Sequence, residues 1–62
     1  MNLTIKAFEI PINASLRFIA RGYSDAGQLI VESTRHDSML ASVDEIAEWC
    51  YRNRPAWGIK TC

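Results

Sequence analysis

The run Ser42-Val43-Asp44-Glu45-Ile46-Ala47-Glu48-Trp49-Cys50-Tyr51 reads as a capped amphipathic helix, and some forty residues that read as strands precede it. Ser42 suits the N-cap position. Glu45 lies three residues later and completes a capping box, and Ala41 and Ile46 suit a small hydrophobic staple across it. Asp44 and Glu45 then fall at the positive end of the helix dipole. At about 100° per residue, Val43, Ile46, Ala47 and Cys50 form one narrow apolar face. Trp49 and Tyr51 flank that face, and Glu48 and Arg52 make an i,i+4 pair on the polar side. Pro55 disfavours helical backbone in the residue before it, so the helix should stop near Asn53 or Arg54.

The residues before the helix alternate with the period of strands. Leu3, Ile5 and Ala7 share one face of a first strand. The phase then slips, because Phe8 and Ile10 are apolar as well. Either a bulge re-aims the chain near Ala7 or both faces are partly covered. Pro11 ends this strand or places it at an edge. A second strand runs from about Ser15 to Tyr23. It points Leu16, Phe18 and Ala20 one way and Arg17, Ile19, Arg21 and Tyr23 the other. Ser24-Asp25-Ala26-Gly27 is a turn in which Gly27 supplies a positive φ. The third strand, Gln28 to Ser33 or Thr34, should place Leu29 and Val31 on the face of Phe18. Thr34 to Ser38 reads as a loop, and Met39-Leu40-Ala41 leads into the helix. Ala56 to Thr61 forms a last strand with Trp57 and Ile59 on one face. The pattern predicts a single α+β domain over residues 1–62 in the order β-β-β-α-β. One helix covers one face of a small antiparallel sheet.

At 62 residues the chain buries little core, and there is little room for a deep pocket with its supporting shell. This favours a non-catalytic binding module or a dimer over an enzyme. Seven basic and seven acidic residues cancel, where a duplex-DNA binder carries a basic excess. No apolar run is long enough to span a membrane. Two cysteines and no recognisable secretory leader point to a cytoplasmic protein with free thiols. Cys50 falls on the apolar helix face and reads as core, while Cys62 reads as exposed. Asn13-Ala14-Ser15 matches the glycosylation sequon, which has no role in a cytosolic chain. Two Cys and one His without ligand spacing do not make a zinc site, and no cofactor or metal is expected.

His36-Asp37 is the one adjacent acid/base pair with an imidazole, and it reads as a solvated loop. The glycines do not form a phosphate-binding loop. Arg17 and Arg21 share a strand face with Ile19 and Tyr23. The plain reading is a solvated sheet face in which Glu32 pairs across the hairpin. The functional readings are a protein-binding face or, as an alternative, a small nucleic-acid-binding regulator using Arg17, Arg21 and Arg35. Trp, Tyr and Arg dominate binding hot spots, which makes Arg17, Arg21, Tyr23, Arg35, Trp49 and Trp57 the candidate partner-binding residues. Ile19, Tyr23 and Ile30, on the face away from the helix, call for a homodimer or partner site.

Ala41-Ser42-Val43-Asp44-Glu45-Ile46-Ala47-Glu48-Trp49-Cys50-Tyr51, followed by Pro55-Ala56-Trp57-Gly58-Ile59-Lys60, resembles small early proteins of bacteriophages, in particular the host RNA-polymerase inhibitors of podoviruses. These also run hairpin, helix opening on an Asp-Glu pattern, Ala-Glu-Trp-x-Tyr and closing strand. Several anti-CRISPR proteins share the layout. The resemblance covers about twenty residues and departs at the closing strand, where only Lys60 stands in place of arginines. It implies a phage or mobile-element inhibitor that binds a host enzyme or defence complex.

Overall fold

The computed structural model describes residues 1–61. Its elements are β1 (Asn2–Ile12), β2 (Ser15–Tyr23), β3 (Leu29–Glu32), α1 (Met39–Asn53) and β4 (Gly58–Thr61). The strands form one sheet in the order β3-β2-β1-β4, with α1 packed on one face against β1 and β2. The class is α+β, in the element order that the alternation and the amphipathic run predict. The sheet is mixed, however: β1, β2 and β3 are antiparallel, while β4 runs parallel to β1. Two hairpins leave β3 running in the direction of β1. The helix carries the chain back to the end where both strands begin, so the next strand runs parallel to them.

The core lies between α1 and the sheet. Leu3 and Ile5 of β1, Ala20 of β2, and Ile46 and Cys50 of α1 are fully or almost fully buried. Val31, Val43, Ala47, Trp49, Trp57 and Ile59 pack around them. The alternation of β1 thus meets the predicted helix face. Cys50 is a free buried thiol that donates toward the Arg54 carbonyl at 3.7 Å. Cys62 lies outside the described residues.

The helix begins four residues earlier than the capping box implies. Ser38 is the N-cap, and its hydroxyl accepts from the Ala41 amide at 3.1 Å. Ser42 is instead inside the helix and fully buried, donating its hydroxyl to the Met39 carbonyl at 2.7 Å. The earlier cap offers the same chemistry and gains a turn. It also sets Ser42, Ile46 and Cys50 on one stripe at spacing four, facing the sheet. Asp44 and Glu45 therefore leave the first turn, which carries no acidic residue. Ser38→Ala should cost on the order of 1 kcal/mol. Ser42→Ala should cost clearly less, because it removes a back-bond to its own helix and improves helix propensity. Urea unfolding of the two variants side by side checks this, and the reverse order would return the cap to Ser42. At the other end the helix stops at Asn53 as Pro55 requires, and the Arg54 amide still bonds the Cys50 carbonyl at 2.7 Å.

The β1–β2 register runs from Thr4↔Tyr23 to Ile12↔Ser15 without a shift. There is no bulge at Ala7, so the apolar residues alternate onto both faces. Pro11 lies inside β1, opposite Leu16, rather than ending it. The Gly58 amide bonds the Met1 carbonyl at 2.9 Å. With a period of two along the strand, the odd residues of β1 turn their backbone groups to the β4 side. Pro11 is one of them, so the amide hydrogen it lacks would have faced an edge. Asn13 turns the hairpin with φ 56°, a left-handed conformation that Asn tolerates. The second turn closes as expected: Gly27 has φ 81°, and the Ser24 amide bonds the Gln28 carbonyl at 2.9 Å.

Three features of the sheet go beyond the plain alternation. Ile19 faces away from the helix yet is only 8% exposed. It stands opposite Phe8 and between Arg17 and Arg21 on its face, and long arginine stems cover apolar neighbours. Its burial removes the main reason for a dimer through the Ile19, Tyr23 and Ile30 face. The register of β2 and β3 shifts between Gly22 and Tyr23. Val31, opposite Gly22, packs on the core as the alternation predicts, while Leu29, beyond the shift, pairs with Tyr23 and stays exposed at the strand's start. Third, β4 pairs only with Asn2–Ile5 and β3 only with Arg21–Tyr23, apart from a Phe18–His36 bridge. The rest of the β1–β2 hairpin projects as a two-stranded arm. At about 3.3 Å per residue, the eleven residues of β1 account for most of the 40 Å long axis.

Candidate functional site

The sheet face opposite α1 is built from the even residues of β1 and the odd residues of β2. Cross-strand pairs place Lys6 beside Arg21, Phe8 beside Ile19 and Ile10 beside Arg17. Thr4 pairs with both Tyr23 and Lys60. The Arg21 guanidinium sits 5.2 Å from the centroid of the Phe8 ring, and Lys6 Nζ sits 5.5 Å from that of Tyr23. Both separations are within cation–π range. Arg21 Nε donates to Glu32 at 2.7 Å. Hydrogen bonding to Glu32, then to Tyr23, raises the Arg21 pKa further above its already high ordinary value. Arg17 Nε lies 3.3 Å from Asp37. Lys6, Lys60, Thr4 and Tyr23, with the Ser24–Gly27 turn, line a shallow concavity at one end of this face.

The candidate residues therefore separate into groups. Arg17, Arg21 and Tyr23 do share one face, and the cross-hairpin pairing of Arg21 with Glu32 is present. Arg35 lies exposed in the loop after β3, outside the cation–aromatic pairs of that face. Trp49 and Trp57 sit on the helix side, partly buried against the core. The Arg54 guanidinium approaches both of their rings, at 5.9 and 5.7 Å. Phe8, Lys6 and Lys60 were not among the candidates drawn from sequence. The apolar phase slip at Phe8 was the one signal for its place on this face. Lys60 reaches the face only through the parallel pairing of β4.

His36 and Asp37 do not form a free acid/base pair. The His36 Nε2–H donates to the Glu45 carboxylate at 2.7 Å. Thr34 donates its hydroxyl to the same group at 2.7 Å and its backbone amide at 3.2 Å. Glu45 thus clasps the β3–α1 loop to the second turn of the helix. Burial pushes its pKa up, but the bonds from Thr34 and His36 outweigh burial and hold it below the ordinary carboxylate value. A carboxylate held low in the folded state stabilises it above the unfolded-state pKa, and the stabilisation is lost as pH falls through the folded-state value. Glu45→Gln should therefore flatten the acid limb of a plot of unfolding free energy against pH. The loss at neutral pH should stay below about 1 kcal/mol, because water screens this half-open cluster. An unchanged acid limb would show that Glu45 does not titrate differently on folding.

Among the described residues no cluster of three or more His, Cys, Asp or Glu is placed to hold a metal ion, and no helix is long and apolar enough to cross a membrane. Comparison with protein-family models, curated proteins and solved structures finds no match. The fold and this surface define a small α+β domain with one face of a mixed sheet left open.

Proposed function

We propose that the chain is a non-catalytic module that binds a protein partner through the sheet face opposite α1. The observation that carries this reading is the pair of cation–aromatic stacks, Arg21 on Phe8 and Lys6 on Tyr23, side by side on adjacent strands. These are residue types that concentrate binding energy. Glu32 already fixes the Arg21 guanidinium, so less side-chain freedom is lost on binding. The resemblance of the helix and closing strand to phage inhibitors makes an inhibitor of a host enzyme or defence complex the most concrete version. Such a module would act by covering a site on its target.

Affinity purification from a host lysate, with identification by mass spectrometry, supplies the partner. Arg21→Ala, Phe8→Ala and Tyr23→Ala should each weaken its binding, and at least one by about 2 kcal/mol or more. Thermal unfolding of the same variants separates lost contact from lost fold. Unchanged affinity in all three variants would remove the site from this face and direct attention to Trp49, Arg54 and Trp57.

A nucleic-acid ligand is the second reading. Lys6, Arg17, Arg21 and Lys60 share the face with two exposed or half-exposed rings on which bases could stack. The pairing of Arg17 with Asp37 and of Arg21 with Glu32 weighs against it. A steep fall in affinity with salt would favour nucleic acid over an aromatic protein interface.

A further inference from the structure

The sheet face opposite α1 is neutralised along most of its length and left cationic at one end. Glu32 holds Arg21 at 2.7 Å, and Asp37 holds Arg17 at 3.3 Å. Among the described residues Lys6 and Lys60 form no such ion pair. Both line the shallow concavity beside the Ser24–Gly27 turn, a space of about 480 Å³. Tyr23, Thr4 and Lys60 stand in one row across β2, β1 and β4, and Lys6 follows Thr4 on the same face. Lys6 Nζ lies 5.5 Å from the centroid of the Tyr23 ring. The hydroxyls of Tyr23 and Thr4 add hydrogen-bond donors beside the two ammoniums. Asp25 is the carboxylate of this rim, and it accepts from the Asn2 amide at 3.2 Å. Two ammoniums and one carboxylate leave a single uncompensated positive charge.

We infer that this concavity takes a carboxylate side chain, an aspartate or glutamate of the protein partner, so that the partner's surface is acidic where it meets this end of the sheet. The inference rests on the reading of this face as the one that binds the partner. One carboxylate matches the uncompensated charge, and complementary charge selects the partner and fixes its register. A phosphate fits less well. The Ser24 amide bonds the Gln28 carbonyl at 2.9 Å, the Gly27 amide bonds the Ser24 carbonyl at 2.9 Å, and the Gln28 amide bonds the Ser24 hydroxyl at 3.2 Å. Those bonds interrupt the run of free N–H groups that cradles a phosphate. The guanidinium forks that would grip one on two sides are already held by Glu32 and Asp37. Glu9 and Asp44, the other carboxylates outside the ion pairs, lie on the helix side of the molecule and do not screen the lysines.

Titration of the full chain with the peptide hexaglutamate at low salt, followed by proton–nitrogen NMR, tests this. Saturable shifts should centre on the amides of Lys6, Tyr23 and Lys60. Lys6→Gln and Lys60→Gln should each weaken binding by about two- to fivefold, the share of one exposed ion pair, and the double variant should abolish it. Both lysines are exposed, so thermal unfolding of the variants should barely change. Shifts spread equally over Arg35 and Arg52, or untouched by the double variant, would overturn the proposal. Tighter binding of inorganic phosphate or of hexathymidylate at these residues would overturn it too, and the latter would turn the face toward nucleic acid. The partner from the lysate separates this proposal from the reading beneath it. If Arg21→Ala and Phe8→Ala weaken the partner while hexaglutamate ignores the lysines, the carboxylate site alone falls. If those variants leave the partner unaffected while hexaglutamate still binds at Lys6 and Lys60, the carboxylate site stands and the wider face falls.

Discussion

Ile46→Ala should leave a large part of the chain unfolded at room temperature. Ile46 is completely buried where α1 meets Leu3, Ile5 and Ala20, at the centre of the stripe that runs from Ser42 to Cys50. Truncating such a side chain costs about 2–5 kcal/mol through lost transfer energy and the cavity left behind. A core of this size supplies only about 3–5 kcal/mol of net stability. The two quantities are comparable, so one substitution consumes most of the margin. Urea titration followed by far-ultraviolet circular dichroism checks it. A cooperative transition that loses less than about 1 kcal/mol would mean the helix can settle into the gap and that the packing is looser than its burial implies.

Gly22→Ala should destabilise, against the usual trend for a strand glycine. In most places Ala in place of Gly stabilises by about 0.4–1 kcal/mol by narrowing the unfolded ensemble. At Gly22 a Cβ would stand 2.9 Å from Val31 Cγ1 and 3.0 Å from Leu3 Cδ2. Leu3 is fully buried and has little freedom to yield. Overpacking of this kind costs about 1–3 kcal/mol, which outweighs the entropic gain. Adding Val31→Ala removes the nearest atom, so the double variant should recover part of the loss. A coupling of about 0.5 kcal/mol or more is expected for side chains in direct contact. A neutral or stabilising Gly22→Ala would show that β2, β3 and the core spread apart at little cost.

The class of fold was legible because its signals are local. The period of two at Leu3 and Ile5 and the period near 3.6 at Val43, Ile46, Ala47 and Cys50 identify the buried faces of β1 and α1. Gly27 marks its turn and Pro55 the helix end. At the helix start the capping box pointed to Ser42, one turn later than the cap that forms at Ser38. Ser38 and Ser42 are both good caps, one turn apart. Burial favours the earlier cap, which brings Ser42 into the helix on the buried stripe with Ile46 and Cys50 and leaves Glu45 free to clasp Thr34 and His36. The candidate binding face was half legible. Alternation put Arg17, Arg21 and Tyr23 together, but Phe8 and Lys6 joined them only through the register of β1 on β2.

The order of the elements, the faces they bury and the chemistry of their turns and helix end depend on residues within a few positions of one another, so the amino-acid sequence by itself determined them. The parallel placement of β4, the covering of Ile19, the space that forbids a side chain at Gly22 and the projection of the hairpin beyond its neighbours are contacts between residues far apart in the chain. Only the tertiary structure decided those, because they depend on how strands of unequal length share one sheet and on which side the single helix lies.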